Sequence, residues 1–307
     1  MPRPLPFLRS PPSSLTPASP GWPASLARLP DPPARLRIAG ELPSLVGAVA
    51  VVGTRYASDD ALDFAHELGR ALAAVGRTVI SGGALGVDAA AHRGALEGGG
   101  ATVAVLATGF DRPYPPSHGP LFARIADRGA LLTENDDGSP PVGFAFLARN
   151  RLIAALAEAV VVVQAPARSG ALSTAALAKR LEKPVFAVPY APWEVRGEGC
   201  VRLLRTGALI CTSVRDVLSV RPHSAATAPF RQPSQEGNPL EFDGLDDDAQ
   251  AVLRALGKRP KHPDKLASGL GMSIMKVQQA LLELLLRGQV VERSPGAYAL
   301  SRDANRT

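Results

Sequence analysis

Ser81-Gly82-Gly83-Ala84-Leu85-Gly86-Val87-Asp88 follows a short apolar run and leads into an amphipathic stretch. Glycines after a strand let the backbone come close to a ligand, and the next helix offers an anion its unpaired N–H groups and the positive end of its dipole. The chemistry this suits is capture of a phosphate, although an ordinary turn is built the same way. Gly53-Thr54-Arg55 and Thr108-Gly109-Phe110-Asp111 end two further apolar runs. A guanidinium directly after a strand, as at Arg55, suits an anion contact, with a surface ion pair as the other reading. Ser169-Gly170-Ala171-Leu172-Ser173-Thr174 is another cradle of N–H and hydroxyl donors, or a plain N-cap. Arg149, Asn150 and Arg151 read as the start of a helix, where cations oppose the dipole unless an anion is near. Phe144 and Phe146 precede them, and an aromatic beside arginines suits base stacking on a nucleic-acid strand; packing in the core is the alternative.

Other chemistries find less support. The Ser81 to Asp88 spacing is not GxGxxG, no acid stands where a ribose would need one, and GxxxxGK[ST] is absent. Asp88 and His92 lie four apart on one helix, but a capping aspartate with a structural histidine explains them, and no third metal ligand is evident. There is no GxSxG elbow or other nucleophile-and-base pair. No metal, cofactor or catalytic residue is expected.

The elements that must position these groups follow from apolar patterning. The 307 residues suit one large domain and a smaller module, and the 46% hydrophobic content is that of a soluble globular chain. Continuous apolar runs predict strands at 48–53, 78–81, 102–106, 130–133, 159–164, 184–188 and 208–211. Helices are predicted between them at 60–75, 89–94, 120–128, 149–157 and 172–181, giving a doubly wound α/β fold with a mainly parallel sheet over 41–220. Residues 1–40 hold eleven of the 29 prolines and five arginines against Asp31, and they read as a disordered tail carrying +4 of the +6 net charge. Prolines break every apolar run there, so no export signal forms; with only Cys200 and Cys211, a cytoplasmic location is expected. Residues 221–243 read as a linker. Over 244–302, helices at 246–256, 262–270 and 273–287 precede two short strands around Ser294-Pro295-Gly296, the winged-helix pattern.

Taken in order, these motifs resemble the DNA-processing protein A family, DprA or Smf, from about residue 36 to 300. The match rests on Val49 to Arg55, Ser81 to Leu96, Ala104-Val105-Leu106, Tyr114-Pro115, Leu131 to Glu134, Arg149-Asn150-Arg151, the Ser169 loop, Val185 to Pro189 and Gly207-Ala208. The resemblance implies an extended Rossmann-like domain followed by a winged helix. It further implies a homodimer, not an enzyme in the usual sense, that binds single-stranded DNA entering the cell in natural transformation, shields it and helps load the RecA recombinase. Arg55 and the Arg149 to Arg151 region would contact the DNA backbone and Phe146 would stack on a base. The site expected from motifs and resemblance together adds Gly53, Thr54, Ser81, Gly82, Gly83, Gly86, Asp88, Gly109, Ser169, Gly170 and Thr174.

The chain departs from the family pattern at Leu85, where arginine is usual, and at Leu147, His118, Tyr190 and Val201, which replace proline, asparagine, glycine and asparagine. These changes predict a divergent pocket with fewer polar groups. Two other functions fit the fold. A phosphoribohydrolase-like nucleotide enzyme would need PGGxGTxxE, which the Ser169 loop lacks. A winged-helix regulator of duplex DNA would need a cationic recognition helix, whereas 273–287 carries only Lys276 and Arg287 with Glu283 between them, which suits a protein contact better.

Overall fold

The computed structural model describes residue 8 and residues 11–219, 247–256, 260–286, 289–294 and 296–301. The chain divides into two units, Met1–Ala226 and Thr227–Thr307. The first runs β1 (Ser13–Leu15), β2 (Leu36–Gly40), β3 (Val49–Val52), α1 (Asp59–Ala74), β4 (Val79–Ser81), α2 (Val87–Glu97) and β5 (Thr102–Val105). It continues with α3 (Gly119–Arg128), β6 (Ala130–Thr133), α4 (Gly143–Leu156), β7 (Ala159–Val162) and α5 (Gly170–Arg180). Its last elements are β8 (Val185–Ala187), α6 (Glu198–Arg205), β9 (Leu209–Ile210) and α7 (Val214–Ser219).

The strands form one sheet in the order β1-β2-β6-β5-β4-β3-β7-β8-β9. From β6 across to β9 every pairing is parallel, and helices cover both faces, so the central strands are buried on both sides. Alternate residues of β3 serve the two layers. Ala50 and Val52 pack with Leu152 of α4 and Ala175 of α5, while Val49 and Val51 pack with Leu68 and Leu72 of α1 and Ala91 of α2. The result is the expected doubly wound α/β fold, with all seven predicted strands present.

The disorder expected over residues 1–40 is corrected where that segment is described. β1 pairs antiparallel with β2, and β2 pairs antiparallel with β6. Prolines flank these strands rather than interrupt them, as sheet edges tolerate. Leu36 and Ile38 of β2 enter the core. Arg35 and Arg37, counted above as tail charge, pair with Asp136 and Asp137 at 2.5 Å and 2.7 Å. The expected linker at 221–243 lies outside the described residues.

A second correction concerns α4, which starts at Gly143 rather than at Arg149. Phe144 and Phe146 therefore lie in its first turns and Arg149 to Arg151 in its middle, so the argument from a helix dipole does not apply to those arginines. The helix is apolar on most sides, and Val142 supplies no side-chain cap, so neither periodicity nor capping marks its start.

His92, on α2, is fully buried. Thr102 Oγ1 gives its own proton to Val79 O at 2.7 Å, so it must accept from His92 Nδ1 at 2.7 Å. Nε2 is then the unprotonated nitrogen. Burial pulls the His92 pKa from 6.5 down to about 3, with repulsion from His118, Arg149 and Arg93 acting the same way. The unfolded chain therefore binds the proton first as pH falls below 6.5, and stability present above that pH is lost down to about 3. Between pH 7 and pH 5 this one group costs about 2 kcal/mol. Denaturant unfolding at the two pH values, compared with His92→Gln, should show that the variant loses about this much less than the parent.

The second unit runs α8 (Asp247–Ala255), α9 (Pro263–Leu270), α10 (Ile274–Leu286), β10 (Val290–Ser294) and β11 (Ala297–Leu300). The two strands pair antiparallel behind three helices whose core includes Val252, Leu266, Leu281 and Leu284. This is a winged-helix unit. Among the described residues of the chain, no helix is long and apolar enough to cross a membrane.

Candidate nucleic-acid interface

From β3 the chain steps outward through β4, β5 and β6, then returns to place β7 on the other side of β3. In an open parallel sheet this reversal leaves a crevice beyond the carboxyl ends of the two strands, where ligands bind. A cleft of about 330 Å³ lies there. It gathers Gly53, Thr54 and Arg55 after β3 with Ser169, Gly170 and Thr174 at the start of α5. Phe146, Arg149 and Asn150 of α4 and Asp88 of α2 complete its predicted part. Ten of the sixteen expected residues thus meet in one place.

The remaining six act elsewhere. Ser81 Oγ donates to Val51 O at 2.6 Å and ties β4 to β3. Gly109 packs against Asp136 O, away from the cleft. Arg151 is held by Glu134 through two bonds of 3.1 and 2.7 Å, with Asp31 at 3.8 Å, which makes it an ion-pair anchor. Gly82, Gly83 and Gly86 shape the loop rather than line the cleft. At Gly86, φ is +76° and a Cβ would lie 2.3 Å from Thr54 O, so only glycine lets this loop lie against the β3 turn. At Gly82 a Cβ would meet the Arg149 guanidinium at 2.4 Å.

The glycine-rich loop is not an open phosphate cradle. Asp88 Oδ2 accepts from Gly82 N at 3.0 Å and from Ala84 N at 3.4 Å, so the loop's donors already hold a carboxylate. Arg149 lies beside it, buried, donating from Nη1 to Gly82 O at 2.8 Å and to Val105 O. Burial lowers the Arg149 pKa to about 10, partly offset by the attraction of Asp88, while Arg55 adds repulsion. Burial raises the Asp88 pKa, against the pull of Arg149. The pair forms a charge-compensated floor.

The cations that face solvent are Arg55 and Arg168, both exposed and both lining the cleft. Neither has an ion-pair partner among the described residues. The Arg55 guanidinium carbon stands 5.0 Å from the centre of the half-buried Phe146 ring, a cation–π contact that fixes both groups. Across the cleft, Ser169 caps α5 by accepting from Ala171 N at 3.3 Å. Asn150 Nδ2 holds this cap in place, donating to Gly170 O and Ser173 Oγ at 3.2 and 2.9 Å. Three guanidiniums and a helix N-terminus face one carboxylate, so the cleft attracts anions. Among the described residues, no group of three or more His, Cys, Asp or Glu side chains is placed to hold a metal ion.

Tyr56, Ile153, Pro166 and Arg168 are the cleft residues that motif reasoning missed. Arg168 belongs to no motif. Its signal is topological, since it follows β7, the second strand of the switch point. Of the five departures noted in the sequence, only Leu147 lines the cleft. His118 is buried, and its Nδ1 donates to Gly83 O at 3.0 Å, so it braces the loop from behind.

Residues 13–222 match the family model for DNA recombination-mediator protein A. The chain belongs to this family. Residues 236–297 match the DprA winged helix domain, so the DprA/Smf member described here carries both modules. The family domain begins at β1, which agrees with the strands found in the proline-rich segment. The chain is 33% identical to protein Smf of Synechocystis over 319 residues, covering 93% of this chain and 79% of that protein. It is 41% identical to the putative DNA processing protein DprA of Mycobacterium tuberculosis over 257 residues, covering 83% of this chain and 64% of that longer protein. DNA processing protein A from Streptococcus pneumoniae superposes with a TM-score of 0.65 at 36% identity, covering 67% of this chain and 73% of that one. The Helicobacter pylori protein, whose structure is described in terms of its single-stranded DNA binding mode, superposes with a TM-score of 0.61 at 33% identity, covering 68% and 94%.

Proposed function

We propose that the chain binds single-stranded DNA in the β3/β7 cleft, protecting DNA that enters the cell during natural transformation and helping to load the RecA recombinase on it in the cytoplasm. The observation that carries this reading is the Arg55 guanidinium seated over Phe146 at the rim of an anion-attracting cleft. It sets a phosphate contact and a base-stacking surface side by side. The single-strand binding described for the Helicobacter pylori relative supports the same ligand. Arg55 and Arg168 take the phosphates, the N-terminus of α5 adds donors, and Phe146 stacks without reading base edges. Arg149, Asn150 and Asp88 hold these groups in place. The chain acts as a homodimer and carries out no reaction of its own. Dimerisation is supported by the sheet edge at β9, where Leu209 and Ile210 are 43% and 59% exposed.

The winged helix is assigned to protein contact. Lys276 of α10 is paired with Asp248 at 3.0 Å, and Met275 beside it is 74% exposed. Neither feature suits reading of a major groove.

Two phosphate contacts predict a modest salt dependence. Affinity for single strands should fall about sevenfold per cleft between about 50 and 200 mM salt. Titration of labelled single- and double-stranded oligonucleotides at these salts tests the reading. Single strands should bind more tightly and show this slope; no binding of single strands at low salt refutes it.

A further inference from the structure

The aromatic surface of the cleft continues beyond Phe146. The Phe146 ring meets Tyr114 edge to face, with centroids 5.4 Å apart and planes at 64°. Tyr114 also forms a wall of a second, separate groove of about 930 Å³. Its other walls include Pro113, Pro116, Pro120 and Ala123, and both Arg112 and Asp111 line it. Tyr114 is 39% exposed although it is a large aromatic, and the groove is roomy enough for a base with its sugar. Arg112 is more than half exposed, and its neighbour Asp111, at 3.8 Å, accepts at both oxygens from Gly138 N at 2.9 Å. The carboxylate is thus held by the backbone and meets the Arg112 guanidinium only through the long 3.8 Å contact.

We propose that this groove is a second base subsite on the same single strand, resting on the assignment of the cleft above. The base next to the one at Phe146 lies against Tyr114 and the prolines, and Arg112 faces the phosphate that joins the two. Continuity with the cleft through the Phe146–Tyr114 contact and the cation in the groove wall favour a nucleic-acid strand as occupant. Flat proline and tyrosine faces hold a base by stacking and contact area, without reading its edges, so the subsite accepts any base.

Gly119 provides a test, because it lines the groove and a Cβ built there meets open space. A phenylalanine in its place adds bulk to the groove wall, and melting curves check that the turn before Pro120 tolerates it. The full chain, Gly119→Phe, Tyr114→Ala and Arg55→Ala should be titrated with thymidine 5′-monophosphate and with a long oligothymidylate, with melting curves as a check on folding. Gly119→Phe and Tyr114→Ala should each bind the long strand about tenfold more weakly than the parent, with monophosphate binding unchanged in Gly119→Phe. Arg55→Ala should weaken both ligands. If Arg55→Ala weakens binding but both groove variants hold the long strand within twofold of the parent, the groove serves another occupant, such as a protein segment, and the proposal is overturned. If Arg55→Ala has no effect, or the parent binds neither ligand, the assignment of the cleft itself has failed, and this proposal with it.

Discussion

Arg149→Met should lower the stability of the α/β unit by about 3–5 kcal/mol, the usual cost of leaving a buried charge without its counter-charge. The guanidinium is the only cation buried against Asp88 among the described residues, and it also satisfies the carbonyls of Gly82 and Val105. Methionine fills similar space but gives those groups nothing. Asp88→Asn in the same chain should recover part of the loss by removing the stranded carboxylate. The two changes should thus be markedly non-additive, as expected of neighbours in one network. Thermal melting of the α/β unit checks this, with an expected shift of about 10 °C for Arg149→Met. Equal and additive losses would show that Asp88 and Arg149 do not depend on each other.

Arg55→Ala should have the opposite profile, with binding lost and stability kept. The side chain is exposed and lacks an ion pair, so its removal should change stability only by the cation–π contact with Phe146, about 0.5–1 kcal/mol. A charge-assisted phosphate contact contributes about 2 kcal/mol, so affinity for single strands should fall about thirtyfold. The salt slope should shrink as well, by about 0.7 for the one contact removed. Arg55→Lys should fall between the two, since it retains the charge but not the flat guanidinium that lies on Phe146. Isothermal titration at fixed salt reads the first effect and repetition at a second salt reads the slope.

The contrast between these two arginines marks the limit of what the sequence discloses. Both stand beside motif residues and both read as anion ligands, yet one builds the floor of the cleft and the other faces the ligand. The difference is burial, and burial depends on where α4 begins. Gly143 to Ala148 offers no cap and little amphipathic contrast, so the helix start is hidden and Arg149 reads as a terminal residue. The central strands were legible for the opposite reason: a parallel strand covered on both faces is a continuous apolar run that nothing else in the chain imitates. β1 and β2 were not, because the prolines around them carry a stronger local signal than three or five residues of strand. Asp88 shows a further limit. A glycine-rich loop advertises free N–H donors, but only the fold reveals that a carboxylate six residues on returns to accept them. Arg168 lies in no motif and became visible once β7 was placed beside β3.

Photo-crosslinking of an oligothymidylate to the full chain, with the modified peptide located by mass spectrometry, tests most directly whether the β3/β7 cleft is the binding site. The adduct should fall on the peptide that contains Phe146 and be lost when Arg55 is replaced by alanine. An adduct confined to residues 260–301, and unchanged in Arg55→Ala, would place the nucleic acid on the winged helix and contradict the account.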